Sequence, residues 1–237
     1  MVIEINRPAK KNALTEEMYL ALTRGLESAQ EDDTVHVILL HGVGDCFCSG
    51  NDLKDFLKPE KKGPTRPGLL FLETISTVTK PIVAVVNGPA VGIGTTMLLH
   101  CDLVYAGMRA TFRVPFVNLG LCPEGGSSLL LPQIIGYPRA AEMFLLGEPI
   151  SAKIALKYGL INNVYPDDRL FDKAFDQARK LALQPSDAVR LTKRLLKKSR
   201  ANNVAGTIVR ESRHFSQRLT SREFMDACAF FFARGRS

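Results

Sequence analysis

Residues 80–101, KPIVAVVNGPAVGIGTTMLLHC, contain small residues at a spacing that suits the binding of a negatively charged oxygen. The apolar, β-branched run Ile82–Val86 predicts a buried strand, and the apolar pattern that resumes after Gly94 predicts a helix. Gly92 and Gly94 flank Ile93 and let the backbone turn sharply where that helix begins. The first N–H groups of a helix have no partner within it, and the helix dipole favours a negative charge there. The turn is therefore a candidate oxyanion site, although the same kind of turn also serves as a purely structural connection in α/β proteins.

A second candidate is the loop Asn118–Ser128, in which a single carboxylate, Glu124, stands among small residues. Pro123 restricts the backbone before it, and Gly125 and Gly126 allow the loop to approach a ligand closely. The apolar residues that precede Pro123 would raise the pKa of Glu124 toward neutrality and make it a better base. A glutamate in such a loop can also be a surface or capping carboxylate, and the loop alone favours that role.

The composition is that of a globular protein with one α/β domain, or with such a domain and a helical appendage. The chain has 237 residues, of which 46% are hydrophobic and 23% charged. No uninterrupted apolar stretch is long enough for a membrane span, and the first residues lack the pattern of a signal peptide, so we predict a cytoplasmic protein. The five cysteines are odd in number and scattered, which favours free thiols in a reducing compartment. Neither they nor the four histidines have the spacing of metal ligands, and we predict no metal site.

The net charge of +7 is concentrated near the C-terminus, where residues 179–237 contain 14 Lys and Arg against 4 Asp and Glu. A basic segment suggests an anionic partner, such as a nucleic acid, a membrane surface or a phosphorylated small ligand. Solvated helix faces explain the same charges, and charge alone favours that explanation. The segment has no aromatic-rich basic run of the kind that stacks single-stranded bases. We therefore predict neither a nucleic acid nor a membrane as a partner.

The other patterns predict the elements that position the two loops. The strands Val35–Leu40 and Ile82–Val86 are each followed by a small-residue loop and a helix, so the two loops can approach each other from adjacent strands. Residues 58–68, rich in Pro, Gly and Lys, predict a mobile surface loop. From Ser127 the pattern is helical almost to the end, with one short strand-like break. The remaining predictions are a helix capped by Thr15, a helix at Leu69–Val78, and strands at Val2–Ile5, Leu103–Tyr105, Thr111–Val114 and Ile161–Tyr165.

Several motifs, taken in order along nearly the whole chain, resemble the crotonase superfamily, the enoyl-CoA hydratase/isomerase family. They are Asn6-Arg7-Pro8, Lys11–Leu14, Phe47–Leu53, Gly88–Gly94 and Asn118–Ser128. The Pro-Glu-Gly step and the Ser-Ser that follows it make the chain most similar to the peroxisomal-type Δ3,Δ2-enoyl-CoA isomerases. The resemblance implies an α/β spiral of ββα units, residues 1–180, with the acyl-CoA site. It also implies a C-terminal helical region, residues 181–237, that covers the pocket and builds a homotrimer or a dimer of trimers.

The resemblance also implies roles for individual residues. The backbone amides of Asn51 and Ile93 would form the oxyanion hole for a thioester carbonyl, and Glu124 would carry a proton from C2 to C4 of a 3-enoyl-CoA. Coenzyme A is part of the substrate, so no separate cofactor is implied. Its adenine and phosphates would lie along Lys10, Lys11, Ala13, Leu14, Ser49, Asp52, Leu53 and Lys54, although for any one lysine a solvated surface role is favoured. Phe71, Leu72, Phe116 and Phe144 would line the acyl-tail pocket or, as apolar residues at helical spacing more often do, belong to the core.

Hydration is the alternative reaction within the family. Hydratase relatives place two glutamates around a water molecule, and the corresponding positions hold Thr96 and Phe116 in this chain. We therefore predict an isomerase of fatty-acid β-oxidation, with a hydratase or another crotonase-type acyl-CoA reaction as the alternative. A crotonase-fold binding protein without turnover is the alternative from another class, and the intact motifs disfavour it.

Overall fold

The computed structural model describes residues 1–56 and 66–234, whose strands and helices alternate along the first two-thirds of the chain. The strands in chain order are β1 (Val2–Ile5), β2 (Ile38–Gly42), β3 (Ile82–Val86), β4 (Ala90–Val91), β5 (Leu103–Gly107), β6 (Thr111–Arg113), β7 (Ile150–Ser151) and β8 (Asn163–Tyr165). The helices are α1 (Glu16–Glu31), α2 (Leu53–Phe56), α3 (Pro67–Thr77), α4 (Ile93–Thr96), α5 (Ser127–Ile135), α6 (Tyr137–Leu146), α7 (Ala152–Tyr158), α8 (Leu170–Ala182), α9 (Ser186–Lys198), α10 (Ala201–Leu219) and α11 (Arg222–Arg234). Short 3₁₀ helices occupy Pro8–Lys10, Met97–His100 and Val117–Leu119.

The strands form two layers that are built up turn by turn. The larger sheet is parallel and has the order β1-β2-β3-β5-β8, which is also their order in the chain. A second layer follows the same progression: Leu14 bridges Asn51, Cys48 bridges Ala90, and β4, β6 and β7 continue it. Each turn of the chain thus adds a strand to one layer and a short extended segment to the other. This arrangement confirms the predicted α/β spiral and stacks the loops that follow the strands.

The core lies on both faces of the larger sheet. All five residues of β3 are buried, as the apolar run predicts for a central strand covered on both faces. On one face, Val83 and Val85 pack with the buried residues of α8. On the other, Ile82 and Ala84 belong to the main core, which includes the inner faces of α1 and α3. Helix α1 begins at the predicted cap, where the N–H of Met18 donates to Thr15 Oγ1 at 3.3 Å.

Several predicted boundaries are wrong, and β7 was not predicted. The strand predicted at Val35–Leu40 is Ile38–Gly42, and the helix after Gly94 ends at Thr96 and continues as a 3₁₀ turn. Residues 58–65 of the predicted loop 58–68 lie outside the described residues. Its last two residues, 67 and 68, belong to α3 instead. Among the described residues, no helix is long and apolar enough to cross a membrane.

Candidate active site

The two loops that carry the predicted oxyanion amides pack directly against each other. The N–H of Val91 donates to the carbonyl of Cys48 at 2.9 Å, and the N–H of Cys48 donates to the carbonyl of Pro89 at 3.1 Å. Helix α4 starts against the same residue, because a Cβ at Gly94 would lie only 2.4 Å from the carbonyl oxygen of Cys48. Glycine at this position is therefore required by a close backbone approach. The contact places the first turn of α4 beside the loop that contains Asn51.

The amides of Asn51 and Ile93 are oriented so that both are available to a ligand. The N–H of Leu14 donates to Gly50, and the N–H of Asp52 donates to Leu14, at 2.8 and 2.9 Å. These bonds engage the residues on either side of Asn51, so its own N–H lies on the opposite edge, which faces the neighbouring loop. Ile93 is the first residue of α4, where an N–H has no partner within the helix. Within residues 1–56 and 66–234, neither N–H donates a hydrogen bond.

Glu124 is the carboxylate predicted to transfer the proton. The residue is partly buried, and its Oε1 is buried without a hydrogen-bond partner among the described residues. Burial raises the pKa of Glu124 to about 8, and the nearby charge of Glu211 adds to the effect. Its own charge contributes to the raised pKa of Tyr19 and of Cys48, so the carboxylate lies close to both side chains. A carboxyl group with this pKa can both accept and return a proton near neutral pH.

Two buried side chains from distant elements hold the loop of Glu124. The Nε2–H of His100 donates to the carbonyl of Gly125 at 2.7 Å, and burial lowers the pKa of His100 to about 4, so that the ring is neutral. Glu211 of α10 accepts hydrogen bonds from the N–H of Gly126 at 2.6 Å and from that of Ser128 at 2.8 Å. The sequence analysis missed both contacts, because neither residue is near the loop in the chain. The available signal for Glu211 was its position on the apolar face of α10.

The sequence analysis also missed Tyr19, whose side chain contacts both Asn51 and Phe71 of α3. Its hydroxyl donates to Asn51 Oδ1 at 2.5 Å, and its ring packs against Phe71 with 5.6 Å between the ring centres. Burial raises the pKa of Tyr19 well above its ordinary value, with a contribution from the charge of Glu124. The tyrosine therefore stays protonated and orients the Asn51 side chain by donating this hydrogen bond.

The predicted CoA-binding residues lie together along two adjacent segments. The N–H of Ser49 donates to the carbonyl of Lys11 at 3.0 Å, which joins the segment 10–14 to the segment 49–54. The side chain of Leu14 is buried in the core, so only its backbone faces the second segment. Ala13 is partly exposed beside it. The structure thus brings the predicted set to one surface, and its contact with CoA stays a prediction.

Several charged members of that set already have partners. Lys11 Nζ pairs with Asp45 at 2.7 Å on the surface, and Asp52 pairs with Arg7 at 2.8 Å. Arg7 also donates to the carbonyl of Ala13 at 3.0 Å, so it binds both segments together. Lys10 and Lys54 are exposed. Asp52 therefore has a structural ion pair, while the lysines lie on the surface where a phosphate can reach them.

The four candidates for the tail pocket are buried in the main core, as the alternative reading of their spacing predicted. Phe116 and Phe144 stack with 6.4 Å between ring centres. Leu72 lies against the loop of Glu124, since a Cβ at Gly125 would be 3.0 Å from its Cδ2. Whether an acyl chain contacts them stays a prediction.

The positions that carry the two hydratase glutamates contain no carboxylate. Thr96 Oγ1 is buried without a hydrogen-bond partner in the described part of the chain, and it lies 3.6 Å from where a Cβ of Gly125 would be. Phe116 is buried in the core. Glu211, the other carboxylate near Glu124, has both oxygens occupied by backbone N–H groups. Of these two carboxylates, Glu124 is therefore the one available for proton transfer.

Comparisons with known proteins show the family and the fold of this chain. The family model described as enoyl-CoA hydratase/isomerase matches residues 1–236. Human enoyl-CoA delta isomerase 2 is 37% identical over 239 residues, which cover 98% of this chain and 60% of that protein, so the chain spans about three fifths of its length. The 2,3-dehydroadipyl-CoA hydratase of Escherichia coli (strain K12) is 32% identical over 219 residues, covering 91% of this chain and 85% of that protein. A crystal structure of an enoyl-CoA hydratase/isomerase from Pseudoalteromonas atlantica T6c has a TM-score of 0.96 at 42% identity, covering 98% of this chain and 93% of that one, which confirms the crotonase-like fold.

Proposed function

Because the chain belongs to the enoyl-CoA hydratase/isomerase family of the crotonase superfamily, whose members act on acyl-CoA thioesters, we propose that it is a Δ3,Δ2-enoyl-CoA isomerase. The observation that carries this proposal is the carboxylate of Glu124, whose Oε1 has no hydrogen-bond partner among the described residues, beside two loops whose Asn51 and Ile93 amides are unpaired within the same residues. Isomerisation needs one group that removes a proton and returns it elsewhere. Hydration by the paired mechanism needs a second carboxylate, which the site lacks.

The proposed reaction uses the two amides and the one carboxylate. The thioester carbonyl accepts hydrogen bonds from the amides of Asn51 and Ile93, and the carboxylate of Glu124 removes a proton from C2. The electrons of the C2–H bond pass into a dienolate whose oxygen the two amides stabilise. Glu124 then returns its proton to C4, which leaves the double bond between C2 and C3 in the trans form. Each amide contributes about 3 to 4 kcal/mol to this stabilisation, judging from the loss of one such donor elsewhere.

Further parts of the proposal concern the ligand and the assembly. CoA would lie along residues 10–14 and 49–54, where exposed Lys10 and Lys54 can meet its phosphates. The C-terminal helices would build a homotrimer or a dimer of trimers, with turnover serving fatty-acid β-oxidation. These statements extend the family assignment and await their own tests.

The test is steady-state turnover of a 3-enoyl-CoA and, separately, of a 2-enoyl-CoA, followed by the ultraviolet absorbance of the conjugated thioester. We expect absorbance to rise with the first substrate, to change little with the second, and to stay constant in Glu124→Gln. Glu142→Gln, an exposed carboxylate on α6, is the matched control and should keep full activity. Full activity in Glu124→Gln would contradict the assignment of Glu124.

Hydration is the second candidate, and similarity to the E. coli hydratase favours it. Rapid loss of absorbance with the 2-enoyl-CoA would establish it in place of isomerisation. No turnover of either substrate would favour another acyl-CoA reaction, or a binding protein that has kept the site without its activity.

A further inference from the structure

We propose that Glu211 is a positioning residue that fixes the loop of Glu124 and, through its negative charge, keeps Glu124 a strong enough base for proton transfer. The inference rests on the proposed function, since it assigns a role in the same reaction. Glu211 does not contact the substrate in this proposal. It acts through the backbone of residues 126–128 and through the electric field at Glu124.

The first support is the hydrogen bonding of a buried carboxylate. Glu211 is only 7% exposed, yet both of its oxygens accept from backbone N–H groups, those of Gly126 and Ser128, at 2.6 and 2.8 Å. These donors open helix α5, whose N-cap residue Gly126 has no side chain to cap it. Glu211 therefore supplies the cap from another helix, and the helix N-terminus favours its ionised form.

The second support is the backbone that follows Glu124. Gly125 and Gly126 both adopt left-handed conformations, with φ of +70° and +74°. Two consecutive glycines leave the chain with wide conformational freedom, so the direction of Glu124 must be fixed from outside the loop. His100 holds the carbonyl of Gly125, and Glu211 holds the N–H groups of Gly126 and Ser128. Without Glu211, the loop would keep only one of these restraints.

The third support is the set of titratable groups around Glu124. They come from α1, from the loop 47–51, from the loop of Glu124 itself and from α10, and they are Tyr19, Cys48, Cys122 and Glu211. Burial raises the pKa of the tyrosine and of both cysteines, so these three are neutral at neutral pH. His100, behind the loop, is neutral as well. Burial raises the pKa of Glu211 as well, but the hydrogen bonds that it accepts from the N–H groups of Gly126 and Ser128 favour its ionised form. In that form its charge adds to burial, the larger cause, in raising the pKa of Glu124.

The experiment compares Glu211→Gln and Glu211→Asp with the control Glu142→Gln. Two quantities are measured: the pH dependence of kcat/KM for a 3-enoyl-CoA, and the pH titration of the Glu124 carboxyl by its infrared C=O band, identified by its absence in Glu124→Gln. In Glu211→Gln the charge is lost, so both midpoints should move from about 8 toward the ordinary glutamate value. In Glu211→Asp the charge remains but the shorter side chain misplaces the loop, so kcat should fall about tenfold or more while the midpoints stay unchanged.

Unchanged midpoints in Glu211→Gln, or wild-type kcat in Glu211→Asp, would overturn the proposal. A merely structural role predicts lower thermal stability in both variants without any shift of the midpoints. If Glu211→Gln does not fold, Glu211→Asp decides: a wild-type kcat, or midpoints that move although the charge is retained, would overturn the proposal. The infrared titration needs no substrate, so an absence of isomerase turnover would reject the proposed function while still testing the influence of Glu211 on Glu124.

Discussion

Replacing Glu124 with Gln should stabilise the fold while it abolishes turnover. Burial raises the pKa of Glu124 from its ordinary value of 4.5 to about 8. The folded protein therefore holds this proton more tightly than the unfolded chain does. The contribution of Glu124 to stability is full below pH 4.5 and is lost as the pH rises to about 8. At about 1.4 kcal/mol per pKa unit, the loss is about 3 kcal/mol at pH 7 and at most about 5 kcal/mol above pH 8. A neutral glutamine avoids this loss.

Urea unfolding of the wild type and of Glu124→Gln across this pH range measures the effect. The variant should gain little stability near pH 4.5 and progressively more as the pH rises, until the gain levels off above about 8. Titrating groups that do not interact with Glu124 contribute equally to both proteins and cancel in the difference. Glu142→Gln, which removes an exposed carboxylate, is the control for this comparison. A pH-independent difference for Glu124→Gln itself would refute the raised pKa and the burial from which it arises.

Two further predictions concern the oxyanion hole. Ile93→Pro removes one amide donor at the first position of α4, where proline is tolerated, so kcat should fall about 100- to 1,000-fold with the fold retained; Ile93→Val keeps the N–H and should stay active. Circular dichroism and kinetics of the pair check this, and equal activity of the two variants would exclude a role for the amide. Tyr19→Phe leaves Asn51 Oδ1 without its donor and should cost about 1 kcal/mol of stability in urea unfolding and lower kcat more than it changes KM. Unchanged kcat in that variant would show that the orientation of Asn51 does not matter.

The strands and helices that position the site can be predicted from the sequence where a buried apolar run has the same ends as the strand or helix that it forms. The run Ile82–Val86 is buried at every residue and forms a strand over the same residues. The strand predicted at Val35–Leu40 is displaced because Val35 and Val37 are buried outside the ladder. The ladder begins at Ile38, which pairs with the first residue of β3. An apolar pattern reports burial, whereas the ends of a strand depend on its neighbours, which one segment does not specify.

The residues proposed for the chemistry could be predicted from the sequence for a different reason. Ile93 and Glu124 lie in glycine-rich loops. The glycines next to them in the sequence indicate that the backbone there approaches another part of the protein or a ligand closely. The residues that support them are separated from those loops by long stretches of chain: Glu211 reaches Gly126 across 85 positions, and Tyr19 reaches Asn51 across 32. No local pattern encodes such contacts.

The sequence nevertheless contains a signal for one of these long-range contacts, that of Glu211. Val204, Ile208, Glu211 and Phe215 follow each other at intervals of four, three and four residues, which places all of them on one face of α10, and all four are buried. A carboxylate among apolar residues at this spacing must enter the interior with the face that carries it. Once there, an ionised group needs donors, and the unpaired N–H groups that open a helix are the donors a fold most readily offers. A charged residue on the apolar face of a helix therefore indicates a cap or a site on another element, even when the sequence does not say which.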